Sequence, residues 1–420
     1  MDKILINGTN TLNGTIKVSG SKNSALPILF ATLLTDEKCQ ISNVPFLADI
    51  TTTIDFLNFI GKKAYRNDKD EVIVESTNVL NYKAPYDLVR KMRASVLVMG
   101  PILARLGKVE VSLPGGCAIG ARPIDIHLDA FKQMGANIEL KEGYINISAK
   151  NGLVGADIEF RYASVGATEN IMLASVLAKG VTRIINAAKE PEIQDLADIL
   201  NKMGAKISGA GTKIITIEGV SILHGVKHKV IPDRIEAATY MIAAAMTKGN
   251  ITLTDVCADH IKIIIEKLRQ AGLEVNVEEN IVNVKWVKDL IPINIRTDIY
   301  PGFPTDVQAQ WMALMTLVKG NCVIEETVFE NRFLHVCELQ RLGANLKIDG
   351  RTVYVTGVEK LSGAPVMVSD LRAGAALVLA GLCAIGKTEI SRIYHLDRGY
   401  EKLENKFSSL GANIQRIKGN

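Results

Sequence analysis

The sequence predicts an α/β protein made of six similar repeats, grouped as three in each of two domains. Two recurring phrases and the chain length predict this. The first phrase is an amphipathic helix end, a glycine and an alternating strand, found as FLNFIGKKAYRN, FKQMGANIEL, LNKMGAKISG, LRQAGLEVNV, LQRLGANLKI and FSSLGANIQR. Its glycines are Gly61, Gly135, Gly204, Gly272, Gly343 and Gly411, about 70 residues apart. Each reads as a helix stop followed by β structure. The second phrase lies between copies of the first: SALPILFATLLTDEKCQISNV, ASVLVMGPILARLGKVEVSL, ENIMLASVLAKGVTRIINA, EAATYMIAAAMTKGNITLTDV, AQWMALMTLVKGNCVIEET and GAALVLAGLCAIGKTEISRI. These are helices apolar on nearly every side, and such a helix must be buried. Each repeat is therefore a buried helix, a strand, an outer amphipathic helix and a strand pair. With 420 residues there is room for two or three cores, and six half-buried layers group most simply as three plus three.

Composition narrows the function classes. The 49 Lys and Arg stand against 45 Asp and Glu, giving a formal charge of +4 spread along the chain without basic blocks, so neither nucleic acid nor a membrane is expected as partner. MDKILINGTN carries no signal-peptide core, and no later segment offers an unbroken apolar span, so a cytoplasmic protein is expected. Cys39, Cys257, Cys322, Cys337 and Cys383 sit in apolar surroundings and read as small buried hydrophobes; no CxxC pair or Cys/His spacing suggests a metal. His127, His224, His228, His260 and His335 have no ligand-like spacing and read as structural or surface residues, and Trp286 and Trp311 as packing groups.

The starts of the buried helices carry the chemistry. Lys22 and Asn23, Arg93, Ser164 and Thr168, Asp233 and Arg234, Asp306, and Asp370 with Arg372 stand in or just before their first turns. The aspartates and hydroxyls are explained as caps. Lys and Arg are not, because they oppose the helix dipole there. Cations gathered with free backbone N–H groups suit a bound phosphate or carboxylate.

A sixth cysteine is placed differently. In SLPGGCAIGARPID, Ser112 to Asp125, Cys117 stands among Gly115, Gly116 and Gly120 between Pro114 and Pro123, a segment that suits neither a helix nor a central strand. It reads as a loop that carries a thiol, with Arg122 near enough in sequence to lower its pKa.

These residues carry a resemblance to a known family. GSKNSALPIL, MRASVLVMGP, PGGCAIGARPIDIH, SVGATENIM, AAKEPEI, PDRIEAATY, FPTDVQAQ, ENRF, SDLRAGA and YHLDRGYEKLE resemble the UDP-N-acetylglucosamine 1-carboxyvinyltransferases, enolpyruvyl transferases of peptidoglycan synthesis, over essentially the whole chain. The resemblance implies an inside-out α/β barrel in each domain, with buried parallel helices and sheets outside. It implies a first domain over 22–231, a second over 1–21 and 232–420, and an active site in the cleft between them. The implied reaction moves the enolpyruvyl group of phosphoenolpyruvate to the 3-hydroxyl of UDP-N-acetylglucosamine, by addition and elimination, with loss of phosphate and no cofactor or metal. Both substrates are small molecules, and a monomer is expected.

The same resemblance implies site roles. Cys117 protonates C3 of phosphoenolpyruvate and is the target of the phosphonate epoxide fosfomycin. Lys22, Arg122 and Arg398 hold the phosphate and carboxylate, with Arg332 and Arg372 completing the cationic cluster. Asp306, which alone reads as a helix cap, takes the proton of the sugar hydroxyl, and Asp370 serves the return proton steps. Asn23 donates a neutral hydrogen bond and Arg93 positions the nucleotide sugar. Arg122, Pro123, Ile124, Asp125 and Ile126, the segment Tyr162, Ala163, Ser164 and Val165, and Val328 bind the nucleotide. Some relatives carry a lysine where this chain has Tyr162, so a charge contact is missing there. His395 and Lys402 flank Arg398 as supports. The rival readings are the sister enzyme acting on shikimate 3-phosphate, which lacks the cysteine loop, and a silent nucleotide-sugar-binding paralogue.

Overall fold

All six stop glycines take left-handed backbone, with φ from +88° at Gly135 to +113° at Gly272. The computed structural model describes residues 2–76, 80–89, 92–112 and 124–419, with the backbone alone at Arg93. The outer helices that these glycines end are Ala48–Ile60, Asp125–Gln133, Pro191–Lys202, Lys262–Ala271, Leu334–Arg341 and Leu403–Ser409. A residue with a Cβ is strained in this conformation, so glycine lets the chain leave the helix and turn at once into a strand.

The second phrase forms the helices Lys22–Ala31, Met99–Leu106, Val165–Ser175, Arg234–Met246, Gln308–Met315 and Leu371–Cys383. In Arg234–Met246 every residue after the first is buried, and in Gln308–Met315 all of them are. Small residues let these helices approach closely. A Cβ on Gly100 would lie 2.3 Å from the carbonyl oxygen of Asn170, whose side-chain oxygen accepts from the Gly100 N–H at 2.7 Å.

Each repeat folds onto one four-stranded sheet of fixed build. In the repeat around Val165–Ser175, the short edge strand Asp157–Glu159 runs parallel to Val181–Ile185, which is antiparallel to Ile214–Glu218, itself paired with Lys206–Ser208. Val181–Ile185 alternates, burying Thr182 and Ile184 and exposing Val181 and Arg183, so one face covers the helix and the other meets water. The parallel edge strand is the element the sequence reading missed. Apart from Asn13–Lys17 it is only two or three residues long, as at Lys83–Ala84, and so carries too little alternation to detect.

Three of the sheets are completed by distant parts of the chain. Lys3–Asn7 lies between Lys387–Ser391 and Asn413–Ile417, Asn13–Lys17 pairs with Asn250–Thr254, and Lys227–Lys229 pairs with Cys39–Ser42. The described residues divide into two compact units, one taking the chain up to Ser19 and from Pro232 on, the other from Gly20 to Ile231. Each has its own core and three sheets. The fold is α/β with buried helices and sheets outside them, but the expected barrel is not a closed one. Among the described residues the sheets are six separate four-stranded sheets, each ending in edge strands that no further strand pairs.

One cysteine departs from its expected burial. Cys337 is exposed on the outer face of Leu334–Arg341, whereas Cys39 and Cys322 are buried and Cys257 and Cys383 partly so. Among the described residues, no helix is long and apolar enough to cross a membrane.

The two glycine roles separate by experiment. In Gly343→Ala the new Cβ meets nothing within 4 Å and only the +94° φ is strained, so a loss of about 1–2 kcal/mol is expected. Gly100→Ala drives a methyl into backbone and is expected to cost more, about 3 kcal/mol. Equilibrium denaturation of both variants checks this, and the reverse order would refute the close-approach account.

Candidate active site

Asp306 lies in the short 3₁₀ turn Thr305–Val307 that leads into Gln308–Met315. Arg372 is the second residue of Leu371–Cys383, and Arg332 stands just before Leu334–Arg341. The three converge. Arg332 donates to Asp306 Oδ1 at 2.7 Å and Arg372 to Oδ2 at 3.0 Å. The arginine side chains are only 6% and 4% exposed, the aspartate 27%. Burial works to raise the Asp306 carboxyl, but Arg372 and Arg332 outweigh it and hold the group well below its ordinary 3.8.

Two guanidinium ions on one carboxylate leave a positive excess. Among the described residues Nη1 of Arg372 is buried without a hydrogen-bond partner, a state that suits completion by a ligand. The ring of Tyr400 stands 5.6 Å from the same guanidinium, and its hydroxyl joins Thr239 at 2.9 Å and Gln310 at 3.1 Å. Asp370 caps Leu371–Cys383, accepting from the backbone N–H groups of Arg372 and Ala373 at 2.9 and 3.0 Å. This leaves its other oxygen to Ser369, whose hydroxyl donates at 3.3 Å. Arg398 ends the 3₁₀ segment Ile393–Arg398. His395 in that segment is pushed down by burial and then by Arg398, and buried His335 is pushed down by burial to about 4.

In the other unit, Lys22 and Asn23 open Lys22–Ala31, with Ser21 as the cap. Asp49, in the first turn of Ala48–Ile60, pairs with Lys22 at 3.0 Å, the two side chains 5% and 12% exposed. Asp49 went unread in the sequence because an acidic residue in a first turn is ordinary. Arg93 begins the 3₁₀ segment Arg93–Val98.

Of the residues that the resemblance assigns to the nucleotide, those described in this unit fall at two helix starts. Ile124, Asp125 and Ile126 lead into Asp125–Gln133, both isoleucine side chains buried, so only their backbone is available to a ligand. Tyr162 and Ala163 precede Ser164, which caps the helix that begins at Val165. Asp125 pairs with Arg161, whose guanidinium lies 5.5 Å from the ring centre of Tyr162. A cation thus stands one residue before the position where the lysine is missing, and FRYAS displayed it. Val328, in the unit that holds Asp306, is exposed, and its N–H donates to Glu326. Cys117, Arg122 and Pro123 lie outside the described residues.

Comparison with known proteins now decides the family. The sequence model of the EPSP synthase (3-phosphoshikimate 1-carboxyvinyltransferase) family matches residues 6–407. The UDP-N-acetylglucosamine 1-carboxyvinyltransferase of Endomicrobium trichonymphae is 64% identical over 419 residues, 99% of this chain and all of that one. The protein of the same name from Geotalea uraniireducens is 54% identical over 417 residues, again 99% of this chain and all of that one. The chain belongs to the EPSP synthase family, among its UDP-N-acetylglucosamine 1-carboxyvinyltransferases. Solved structures agree on the fold. The enolpyruvyl transferase NikO from Streptomyces tendae matches with a TM-score of 0.90 at 24% identity, covering 100% of this chain and 99% of that one. EPSP synthase from Acinetobacter baumannii matches at 0.78 and 18%, with both chains fully covered.

The Arg332–Asp306–Arg372 group can bind an anion and keep a carboxylate ionised beside it. It also ties three elements together, which has a measurable cost when broken. Asp306→Asn leaves two buried cations against an amide and is expected to lose about 2–3 kcal/mol, less than a fully buried pair because Asp306 is part exposed. A carboxyl lowered in the folded state stabilises fully above its unfolded pKa, and that contribution is lost as pH falls toward the folded value. Wild-type stability should therefore fall more steeply below about pH 4 than that of Asp306→Asn. Parallel slopes in pH-dependent denaturation would contradict this.

Proposed function

We propose that the chain transfers the enolpyruvyl group of phosphoenolpyruvate to the 3-hydroxyl of UDP-N-acetylglucosamine, releasing phosphate, as an early step of peptidoglycan synthesis in the cytoplasm, and that it works as a monomer. The observation that carries this reading is the Arg332–Asp306–Arg372 group, in a chain 64% identical end to end to a relative named for that reaction.

In this reading the sugar hydroxyl oxygen bonds to C2 of phosphoenolpyruvate while its proton passes to Asp306. The Cys117 thiol gives its proton to C3, and a tetrahedral phosphoketal results. The second half reverses the proton at C3: a base removes it, the C2–O bond to phosphate breaks, and the C2–C3 double bond re-forms. Asp370 serves these return steps. Lys22, Asn23, Arg122, Arg332, Arg372 and Arg398 balance the charge of phosphate and carboxylate, the form of catalysis open to fixed cations. Asp306 suits its role because its flanking arginines keep it ionised and able to accept. The cost is a weak base, so its work is to receive a proton as the new bond forms.

For the nucleotide, Arg93, the backbone of residues 122–126 and 162–165, and Val328 provide the contacts, and Arg161 supplies the charge that Tyr162 cannot. The Arg161–Asp125 pair is exposed, and such a pair is worth little, so Arg161 can leave it for a diphosphate.

The test is phosphate release from phosphoenolpyruvate with UDP-N-acetylglucosamine, with shikimate 3-phosphate, or with neither. Release only with the nucleotide sugar is expected; release with shikimate 3-phosphate would move the assignment to the sister reaction. Cys117→Ser should lose about 100-fold or more in turnover, and fosfomycin should leave a single adduct on Cys117. Arg161→Ala should raise KM for the nucleotide sugar by about tenfold, the scale of one charge contact, while Tyr162→Ala changes it less. The opposite ranking would assign the contact to the tyrosine.

A further inference from the structure

Glu326 is fully buried, yet no role in the reaction falls to it so far. It lies beyond the strand Asn321–Glu325, and four donors meet its carboxylate. Oε1 accepts from the Thr297 hydroxyl at 2.9 Å, the Val328 N–H at 2.9 Å and the Phe329 N–H at 3.1 Å. Oε2 accepts from the Thr305 hydroxyl at 2.8 Å. Thr305 in turn receives Nη1 of Arg332 at 2.9 Å, while Nη2 of the same guanidinium holds Asp306 at 2.7 Å.

The direction of these bonds matters. A threonine hydroxyl has one proton. Because that proton goes to Glu326, the oxygen lone pairs of Thr305 face Arg332. The two nitrogens of Arg332 are then fixed at both ends, one on Thr305 and one on Asp306. The carboxylate also pins the backbone of Val328, one of the proposed nucleotide contacts.

We propose that Glu326 is a positioning residue for the transfer reaction, orienting Arg332 on Asp306 through the hydroxyl of Thr305 while it fixes the Val328–Phe329 backbone. The role in transfer rests on the reading under "Proposed function"; the orientation of Arg332 does not. Glu326 touches no substrate in this account. It sets the geometry of the groups that do, and small errors there are costly to the rate.

Glu326→Gln separates the two tasks. The amide oxygen can still serve the Oε1 donors, but an NH2 replaces the acceptor facing Thr305, so the hydroxyl loses the partner for its proton. Thr305→Val removes the relay from the other side. Both variants should lower kcat about tenfold and change KM for either substrate by less than about threefold, and the double variant should be no worse than either single one, since one path is broken once. A second readout needs no substrate: rotation of the Arg332 guanidinium, followed by 15N NMR at neutral pH as exchange between its two Nη signals, should quicken in both variants. Unchanged rotation, or an unchanged kcat in a folded Glu326→Gln, would overturn the proposal, as would additive losses in the double variant. If the wild type shows no transfer at all, the functional reading fails on its own, and the rotation rates still decide whether Glu326 orients Arg332.

Discussion

A helix with no polar face must be covered on every side, and the rest of this structure answers that constraint. Each unit encloses three such helices between one another, the outer helices and the inner faces of three sheets. Small side chains such as Gly100 allow the contacts to be close. Some polar groups within the bundle bridge its helices: Thr239, Gln310 and the Tyr400 hydroxyl join one another, tying Arg234–Met246 to Gln308–Met315, and Asn170 bonds both the Gly100 N–H and the Val96 carbonyl. An unpaired polar group in such surroundings would cost more than the bond it makes returns.

The same constraint sends the chemistry to the helix starts. A buried helix can carry charge only where its first turn reaches the edge of the core, and there its own N–H groups already favour an anion. Both units use this place in the same way. Lys22 at one helix start is held by Asp49 from an outer helix, and Arg372 at another is held by Asp306 beside a third. Each cation opposes the dipole of its helix, and each carboxylate offsets part of that cost without removing the preference for a further anion. Nη1 of Arg372, without a hydrogen-bond partner among the described residues, expresses that remaining demand.

Buried carboxylates also fix the places where the chain leaves one unit for the other. Glu236 accepts the N–H of Ser19 at 2.7 Å and pairs with Lys406 at 2.6 Å. Asp195 accepts the N–H of Ile231 at 3.2 Å and bonds His228 at 2.8 Å and the Ser24 hydroxyl. Burial raises the Glu236 carboxyl, with Lys406 acting against it. Both anchors are polar groups tied to several partners at once, so the chain ends each unit at a defined residue.

The sequence by itself determined the repeats, because helix stops and all-apolar helices are local patterns: every stop glycine from Gly61 to Gly411 has the positive φ its motif demanded. Through the family resemblance it also singled out Asp306, Arg332 and Arg372, though with Asp306 as a proton acceptor and the arginines in a wider cationic cluster, in motifs that lie up to 66 residues apart. Tertiary structure decided what those residues do to one another. Read along the chain, Asp306 is a cap and Glu326 an acidic residue after a strand; only folding sets two arginines on the first and four donors around the second. Asp49 and Arg161 stayed hidden for the same reason, since an ordinary charge becomes informative only once its partner is in place. The edge strands were decided later still, because strands as short as Lys83–Ala84 gain their hydrogen bonds from a partner remote in sequence, and no periodicity within two residues can announce it.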